Sequence, residues 1–413
     1  MPTPASTSTP TRHFPPARPD PRSALRHIFA GLCASLVGIG LARFAYTPLI
    51  PPLIEAHWFA ASDVVTLGAA NLAGYLLGAL AGRPIAGRLG HTATLRWMMV
   101  LVTLAFAGCA FPLSLAWFFG WRLVSGVAGG AMMVLVAATV LPHVPAARKG
   151  LASGAIFLGV GLGVAASGTL VPLLLQLGLR GTWLGLGVVS ALLTAASWFA
   201  WPRSGPAGAA ATPDPATAPA RTGPGLKVLY AQYALMAVGL VAPMLFLVDF
   251  IARGLGAGAH LGSLFWVVYG VGAIAGPPLY GFLADRMGPR PAVRLALAVQ
   301  ALALAATYVT GNLALLALLT LLIGSFPAGI VPLVLARVHE SVPHDAARQN
   351  QTWSRATTVF AAFQAMAGYA YSALLNATGG NHRLLFITAA VALVLALLAD
   401  PGRPAARMER RPG

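Results

Sequence analysis

Apolar residues occur along this chain in long runs, and polar and charged residues are concentrated in the short stretches between the runs. Several runs exceed the length of about 20 residues that a helix needs to cross a bilayer. A chain in lipid must satisfy its backbone hydrogen bonds internally, which favours a helix for every run. Bounded by Pro, Gly and charge, the runs predict helices at residues 26–50, 63–86, 93–113, 115–140, 151–177, 182–201, 227–252, 261–284, 292–310, 313–337, 353–375 and 383–399.

A stretch rich in Pro, Ala and Gly divides these predicted helices into two sets of six. The sequence therefore predicts an all-α membrane protein with twelve transmembrane helices in two pseudo-symmetric six-helix halves. The predicted order is a disordered N-terminal tail (residues 1–24), the first half (25–202), a linker (203–225), the second half (226–401) and a C-terminal tail (402–413). The tails and the linker are expected to be cytoplasmic.

The composition excludes a water-soluble shell, because 57% of the residues are apolar and only 9% are charged, whereas soluble domains average about 25% charged residues. A net charge of +17 would suggest a nucleic-acid partner in a soluble protein. Here the basic residues lie almost wholly between the apolar runs, so we predict no nucleic-acid partner. The expected surroundings are the lipid bilayer.

The basic residues also predict an orientation, because cytoplasmic loops of membrane proteins carry an excess of Lys and Arg. If both termini are cytoplasmic, only Arg180, Arg253 and Arg383 of the 27 basic residues fall in outside loops. Arg43 and Arg122 fall within helices, and the other 22 lie on the inside. A helix missed early in the chain would move every later loop to the other side. The charge bias therefore supports twelve crossings, in the inner or plasma membrane with both termini cytoplasmic.

An internal repeat supports two related halves. The segment RPIAGRLG at residues 83–90 aligns with GFLADRMG at residues 281–288, at an offset of 198 residues that is close to half the chain. Duplicated halves are an expectation for transporters built from internal repeats.

The second copy carries the more complete pattern. The spacing Gly281-x-x-x-Asp285-Arg286-x-Gly288-x-Arg290 resembles the loop motif of the major facilitator superfamily, which implies a gate latch that favours the outward-open state. Gly281 is expected to let neighbouring helices approach closely. Asp285 is expected to meet basic residues and the N-terminus of a facing helix. The alternative is an ordinary basic cytoplasmic loop.

The fourth predicted helix carries a second resemblance, since Arg122-x-x-x-Gly126-x-x-x-Gly130 is similar to an Arg-Gly-Gly pattern of the same superfamily. Glycines four residues apart share one helix face and allow tight packing. A guanidinium within a span is costly and usually faces protein or water. Arg122 therefore either takes part in solute or proton coupling, or extends toward the outer interface.

The segment GIGLARFAYTPLIPPL at residues 38–53 resembles the first-helix signature of the YbfB/YjiJ branch of this superfamily. The superfamily resemblance covers residues 26–400 and implies the major facilitator fold with alternating access. The branch implies no particular substrate. The positions that carry the branch resemblance are Gly40, Arg43, Phe44, Tyr46, Thr47 and Pro48, with support from Gln364 and Gly368.

A solute site is expected near mid-membrane between the halves. At about 1.5 Å rise per residue, Arg43 and Arg122 both fall in the outer half of the membrane, and no carboxylate is obvious within the first six helices. One hypothesis is that Arg43, with Arg122, binds an organic anion while Tyr46 donates a hydrogen bond. The alternative is that Arg43 pairs with Asp249 or Glu55 as an outer gate.

Further candidates are polar and aromatic residues on the helices expected to face the cavity. Aromatic residues in spans more often pack or lie at interfaces than contact solute. These candidates are Asn71, Tyr75, Gln232, Tyr233, Trp266, Tyr269, Gln364 and Tyr369.

No catalytic constellation, metal-ligand spacing or nucleotide-binding loop is found in the sequence, so we predict neither an enzyme nor a cofactor. The predicted function is secondary transport of a small solute: an organic anion, an exported metabolite or a drug. A proton is the default coupling partner of the superfamily, although no central carboxylate is present to carry it. A monomer is expected. The alternative function is a transporter-like sensor or assembly subunit without transport.

Overall fold

The computed structural model describes residues 21–145, 148–202, 224–343 and 345–400, and all regular structure within these ranges is helical. The first half consists of α1 (Arg22–Glu55), α2 (Ala61–Leu89), α3 (His91–Cys109), α4 (Leu115–Val140), α5 (Lys149–Leu175) and α6 (Gly178–Ser197). The second half consists of α7 (Gly225–Gly254), α8 (Gly258–Met287), α9 (Pro289–Val309), α10 (Leu313–Ser341), α11 (Ala346–Ala377) and α12 (His382–Leu398).

Eleven of the helices in the described ranges are long and apolar enough to cross a membrane. The shorter α12 has 17 residues, a length of about 25 Å against a hydrocarbon core of about 30 Å. Large apolar side chains face outward, and side chains such as Leu192, Leu302 and Val309 are 65–74% exposed. An exterior of this kind is stable in lipid and not in water. The predicted all-helical membrane fold is confirmed.

Several helices extend past the predicted apolar runs. An apolar run ends where the chain leaves the bilayer, whereas the helix can continue until capping groups end it. Helix α11 begins at Ala346, where the Asp345 side chain accepts a hydrogen bond from the backbone N–H of Arg348 at 2.9 Å. Helix α10 continues to Ser341, four residues past the predicted end at Arg337. Arg253, predicted in a loop, lies in the π-helical end of α7.

The predicted tails and linker lie mostly outside the described residues. Residues 21–24 of the predicted N-terminal tail are already helical. Residues 1–20, 203–223 and 401–413 are not described.

Each half has its own apolar core. The core of the first half is centred on large buried side chains such as Phe118 and Trp183, and that of the second half on Phe246, Phe326 and Phe386. A few residues of α1 and α2 pack into the second core instead, and there the two halves meet: Ile39, Phe44, Val65 and Leu72.

Within the first half, α2 and α4 cross in direct backbone contact. A Cβ atom at Gly74 or Gly78 would lie 2.0 Å from the carbonyl oxygen of Leu123 or Val127. A Cβ atom at Gly126 would lie 2.1 Å from the carbonyl oxygen of the facing α2 residue. Only glycine permits such an approach. The expected role of Gly126 in tight packing is confirmed.

The same crossing is repeated between α8 and α10. A Cβ atom at Gly272 would lie 2.2 Å from the carbonyl oxygen of Leu321, and one at Gly276 would lie 2.1 Å from that of Ser325. Each of these four residues stands 198 positions after its counterpart in the α2–α4 crossing. The repeat seen in two loop segments therefore extends to the packing of the helices.

The bundle has two ends, which we call the terminal end, where α1 begins and α12 finishes, and the opposite end, where α1 finishes and α2 begins. Across the halves, α2 packs on α11 and α5 packs on α8. The side-chain hydrogen bonds between the halves in which both partners are described lie nearer the opposite end. They are Arg43–Gln364, Thr47–Met244, Trp266–Ser167 and Ser372–Val65.

We predict that Gly78→Ala lowers the thermal unfolding temperature of the purified protein, because the added methyl group must push α2 away from the α4 backbone. Overpacking of this kind costs about 1–3 kcal/mol. Gly87→Ala is the matched control, since Gly87 lies in the same helix with no neighbouring atom within 4 Å of an added Cβ. Equal unfolding temperatures for the two variants would contradict the assignment of the close crossing.

Candidate functional site

Helix α1 is irregular near the middle of the membrane. It is π-helical over Leu36–Leu41, forms a short α-helical turn over Ala42–Phe44, and continues as a 3₁₀ turn over Thr47–Leu49. Pro48 is one cause of the break, because proline lacks an N–H and does not fit a helix interior. Non-helical backbone within a membrane is found where it lines a cavity or is buried in protein. The irregular segment carries Arg43.

The Arg43 guanidinium lies at the junction of the two halves. Its side chain is buried, with 7% of the residue exposed. Nη1 donates a hydrogen bond to Oε1 of Gln364 on α11 at 3.1 Å. The guanidinium carbon lies 4.1 Å from the ring centroid of Tyr75 on α2, a favourable cation–π contact. Arg43 therefore connects α1 to a neighbouring helix and to the other half.

Arg122 lies next to Arg43 and supports the irregular part of α1. It is only 2% exposed, and its Nη1 donates to the carbonyl oxygen of Ala42 at 2.9 Å. Its guanidinium carbon lies 4.3 Å from the ring centroid of Tyr46, and Nε has no hydrogen-bond partner among the described residues. The predicted alternative, extension toward the outer interface, is therefore wrong.

Two further candidates complete the surroundings of Arg122. The Asn71 amide nitrogen donates to the Ser125 hydroxyl at 2.9 Å and lies 3.5 Å from the Arg122 carbonyl oxygen. The Tyr46 hydroxyl donates to the Val64 carbonyl oxygen at 2.6 Å. Because that proton is engaged within the protein, Tyr46 does not offer the solute hydrogen bond predicted for it, and its ring instead faces Arg122.

No carboxylate of the described residues lies within 4.0 Å of the Arg43 or Arg122 guanidinium. The pairing considered for Arg43 with Asp249 or Glu55 is not formed, because Asp249 has other partners and Glu55 is exposed at the end of α1. The site is therefore a buried pair of cations that has no carboxylate counter-ion among the described residues.

Asp249 is fully buried near the end of α7 and belongs to a separate cluster. Its Oδ2 lies 2.5 Å from Nε2 of His382 at the start of α12. Arg253, one helical turn later on α7, contacts both carboxylate oxygens. The Nδ1 atom of His382 is buried and has no hydrogen-bond partner in the described part of the chain. A carboxylate, an imidazole and a guanidinium thus form one network, in which Asp249 and His382 are buried and Arg253 is about one-third exposed, at 32%.

The other aromatic candidates pack inside or between the halves. The Tyr233 ring lies 4.5 Å from Phe360 and 6.2 Å from Trp353, measured between centroids. Tyr269 stacks on Trp266 at 4.7 Å, and the Trp266 indole N–H crosses to Ser167 on α5 at 2.9 Å. These residues shape the core around the site rather than joining the Arg43 cluster.

Gln232 also lies away from the Arg43 cluster. Its amide bonds to Arg337 and to the carbonyl oxygen of Ala396 inside the second half, at 3.2 and 3.0 Å.

The residues of the loop motif at the end of α8 make some of the expected contacts and not others. Gly288 ends the helix with a positive φ of 86°, Arg290 lies 3.8 Å from Glu340, and Arg286 stacks over a phenylalanine of its own helix. Asp285 is exposed and forms no ion pair with a described residue. No atom lies within 4 Å of an added Cβ at Gly281, so the close helix approach expected there is wrong.

Sequence reasoning missed His382, Ser125 and Arg337 as partners in these networks. His382 is separated from Asp249 by 133 residues, and no local spacing links them. Arg337 is buried against Asp400 at 3.1 Å, although the sequence places it at the end of an apolar run. Within the described ranges, no three His, Cys, Asp or Glu residues are arranged to hold a metal ion.

The chain is similar in sequence to other proteins. One relative is a chloramphenicol resistance protein of Streptomyces lividans, 29% identical over 298 residues, which are 65% of this chain and 68% of that protein. Another is an uncharacterized 38 kDa protein in the 23S RNA operon of Thermoproteus tenax, 35% identical over 224 residues. That match covers 53% of this chain and about half of the relative, at 52%.

The crystal structure of a D-xylose–proton symporter shares the fold, with a TM-score of 0.70 and 16% identity over 91% of this chain and 96% of the symporter. At that identity the likeness concerns the fold alone. The model of a family described as an uncharacterised MFS-type transporter, YbfB, matches residues 35–400. Because this match takes in nearly all of the helical bundle, the chain belongs to the YbfB-type family of major facilitator transporters, which are integral membrane transporters and not enzymes.

Proposed function

We propose that this transporter moves a small organic anion across the membrane by alternating access, and that Arg43 contacts the anion. The observation that carries the proposal is the burial of Arg43 at the junction of the halves without a carboxylate partner among the described residues. Removing an ion from water costs several kcal/mol, whereas a cation–π contact such as that with Tyr75 contributes about 0.5–2 kcal/mol. Gln364 and the face of Tyr75 therefore offset only part of the cost of burying the Arg43 charge.

An anionic solute would compensate this charge better than any group now in contact with it. A carboxylate or phosphate can accept two parallel hydrogen bonds from a guanidinium, which are about twice as strong as neutral ones. The Tyr75 hydroxyl makes no hydrogen bond with a described residue, so it is available as a second donor. We assign Arg122 and Asn71 to positioning, because Arg122 supports the irregular part of α1 and Asn71 joins α2 to α4 beside Arg122.

Binding at Arg43 also offers a route to conformational change. The Arg43–Gln364 hydrogen bond joins the halves, so an anion that takes this donor would release α11 from α1. A ligand shifts a conformational equilibrium when it binds one state more tightly than the other. The hydrogen bonds between the halves lie nearer the opposite end, which supports a conformation closed there and accessible from the terminal end.

We assign the terminal end to the cytoplasm, which supports an inward-facing conformation. The support is the bias of basic residues toward the loops at that end.

The cluster around Asp249 is our proposed proton site. Asp249 is fully buried, and the charged groups that act on it are His382 and Arg253. An ionisable residue inside a membrane protein commonly marks an ion or proton route, and histidine changes charge near neutral pH. The likeness of the fold to a D-xylose–proton symporter supports proton coupling.

A second candidate function is the export of a drug-like neutral solute. It is favoured by the similarity to the chloramphenicol resistance protein of Streptomyces lividans. In that case Gln364 and Arg43 would remain bonded during transport, and charge on the solute would not matter for binding.

We predict that organic anions raise the thermal unfolding temperature of the purified protein and that Arg43→Ala abolishes this stabilisation. Loss of a charge-assisted hydrogen bond of about 1.5–3 kcal/mol corresponds to roughly 10- to 100-fold weaker binding. The measurement is a thermal-shift screen of mono- and dicarboxylates, sugar phosphates, sugars and neutral drugs. Counterflow of each hit in proteoliposomes then separates a transporter from a sensor that binds without flux.

Three variants control this experiment. Arg43→Lys should retain part of the anion binding, Gln364→Ala should retain it fully or strengthen it, and Arg355→Ala, an exposed arginine elsewhere, should leave it unchanged. Without ligand, Arg43→Ala should unfold at a similar or higher temperature, because no buried acid loses its partner. Equal anion binding by Arg43→Ala and the parent protein would exclude Arg43 as the anion contact.

We predict that Asp249→Asn uncouples transport from protons, because an amide cannot take up the proton that a carboxylate–imidazole pair exchanges. In proteoliposomes that enclose a pH-sensitive dye, the variant should exchange the identified anion but should not move protons with it. Asp63→Asn is the control, since Asp63 is a partly exposed carboxylate at the same end. Unchanged proton movement by Asp249→Asn would refute the proton site.

We predict that the terminal end faces the cytoplasm. Single cysteines at Ala56 and His260, in exposed positions at the opposite end, should react with a membrane-impermeant maleimide added to intact cells. Cysteines at Leu89 and Met287, which are exposed at the terminal end, should react only after the cells are broken. The native cysteines, Cys33 and Cys109, are buried. Labelling of position 89 in intact cells would overturn the orientation.

A further inference from the structure

The outer surface of the first half contains a groove between α3 and α6. It has a volume of about 360 Å³ and opens away from the rest of the bundle. The hydroxyls of its two threonines, Thr103 and Thr194, are bonded to carbonyl oxygens of their own helices, so the groove presents an almost entirely apolar surface. The lining residues are Val100, Thr103, Leu104, Ala191, Thr194, Ala195, Trp198 and Phe199.

The basic side chain of Arg96 lies at the terminal end of this groove. The Arg96 guanidinium carbon lies 5.1 Å from the ring centroid of Trp198, and Arg96 Nε is buried without a hydrogen-bond partner among the described residues. Arg96 is the sixth residue of α3, which puts it near the membrane–water interface. Exposed aromatic rings at the same level, Trp97 at 57% and Phe199 at 91%, are typical of that interface.

The described charged residues around this end of the first half are all basic. Arg26, Arg83, Arg88 and Arg148 are exposed there, and Arg96 is partly buried. The carboxylates that the structure describes in residues 21–145 and 148–202 are Glu55 and Asp63, and both lie at the opposite end. In the second half, by contrast, two of the basic residues at the terminal end have acidic partners within the protein, in the pairs Arg290–Glu340 and Arg337–Asp400.

We propose that this groove binds an anionic phospholipid, with one acyl chain between α3 and α6 and the phosphate on Arg96. Helix α3 lines the groove from Val100 to Leu104, and Arg96 lies about one helical turn before Val100. Arg96 and Leu104 are eight residues apart, about 12 Å along the helix, which suits a phosphate and the upper part of an acyl chain. An acyl chain fills an apolar groove that faces lipid, and a phosphate supplies the acceptor that Arg96 Nε lacks. Because the structure describes no acidic side chain in this region, we expect a negatively charged headgroup to bind there more tightly than a zwitterionic one.

The test is lipid retention by the purified full-length protein, measured by native mass spectrometry after release from detergent. Phosphatidylglycerol and phosphatidylcholine with identical acyl chains are the probes. The parent protein should retain phosphatidylglycerol several-fold better than phosphatidylcholine. Arg96→Ala should retain phosphatidylglycerol about tenfold less well, the loss expected for one charge-assisted hydrogen bond. Ala195→Phe, which fills the groove and keeps the charge, should weaken retention of both lipids.

Two controls make the result decisive. Arg355→Ala removes an exposed arginine of the second half and should leave lipid retention unchanged, whereas Arg96→Lys should retain an intermediate amount. Thermal unfolding confirms that each variant is folded, and Ala195→Phe tests the site independently if Arg96→Ala is not. An undiminished lipid preference in Arg96→Ala, or an equal loss in Arg355→Ala, would overturn the proposal in favour of diffuse charge attraction. Equal displacement of the lipid by glycerol phosphate would show that the acyl chain contributes nothing.

Discussion

The close backbone contact of α2 with α4, and of α8 with α10, is the constraint on which the rest of the structure depends. In lipid there is no large hydrophobic gain from bringing two apolar helices together, so association relies on close packing. Gly74 and Gly78 allow the facing carbonyl groups to approach to distances that a methyl group would forbid. The same contact recurs 198 residues later at Gly272 and Gly276. Two equivalent helix pairs thus give each half its shape.

The position of the site follows from this packing. Helix α2 carries Asn71 and Tyr75 on the crossing with α4, and α4 carries Arg122 at the same level. Arg122 donates to the carbonyl oxygen of Ala42 and so supports the irregular turn of α1, which presents Arg43 to α11. The site is therefore built on close helix crossings in the first half, while Arg43 reaches the second half through its hydrogen bond to Gln364.

Charge is distributed differently in the two halves. In the first half, Arg43 and Arg122 at the site, and Arg83, Arg88 and Arg96 at the terminal end, form no ion pair with a described carboxylate. In the second half, Asp249, Glu340 and Asp400 pair with basic residues of the same half. One half is thus suited to bind anions, from solution or from the membrane. The other contains the buried carboxylate suited to proton exchange.

The sequence by itself determined the helices, their number and the division into halves, because apolar length and loop charge act locally and lipid forces each apolar run to be helical. It also identified Arg43, Arg122, Tyr75 and Gln364 as candidates, since polar groups in apolar runs are conspicuous. Only the tertiary structure decided their partners. In the tertiary structure Asp249 pairs with His382, 133 residues away, and the Tyr46 hydroxyl donates to the carbonyl oxygen of Val64. Arg43 has no carboxylate partner among the described residues. Such contacts depend on helix rotation and crossing, which apolar runs do not specify.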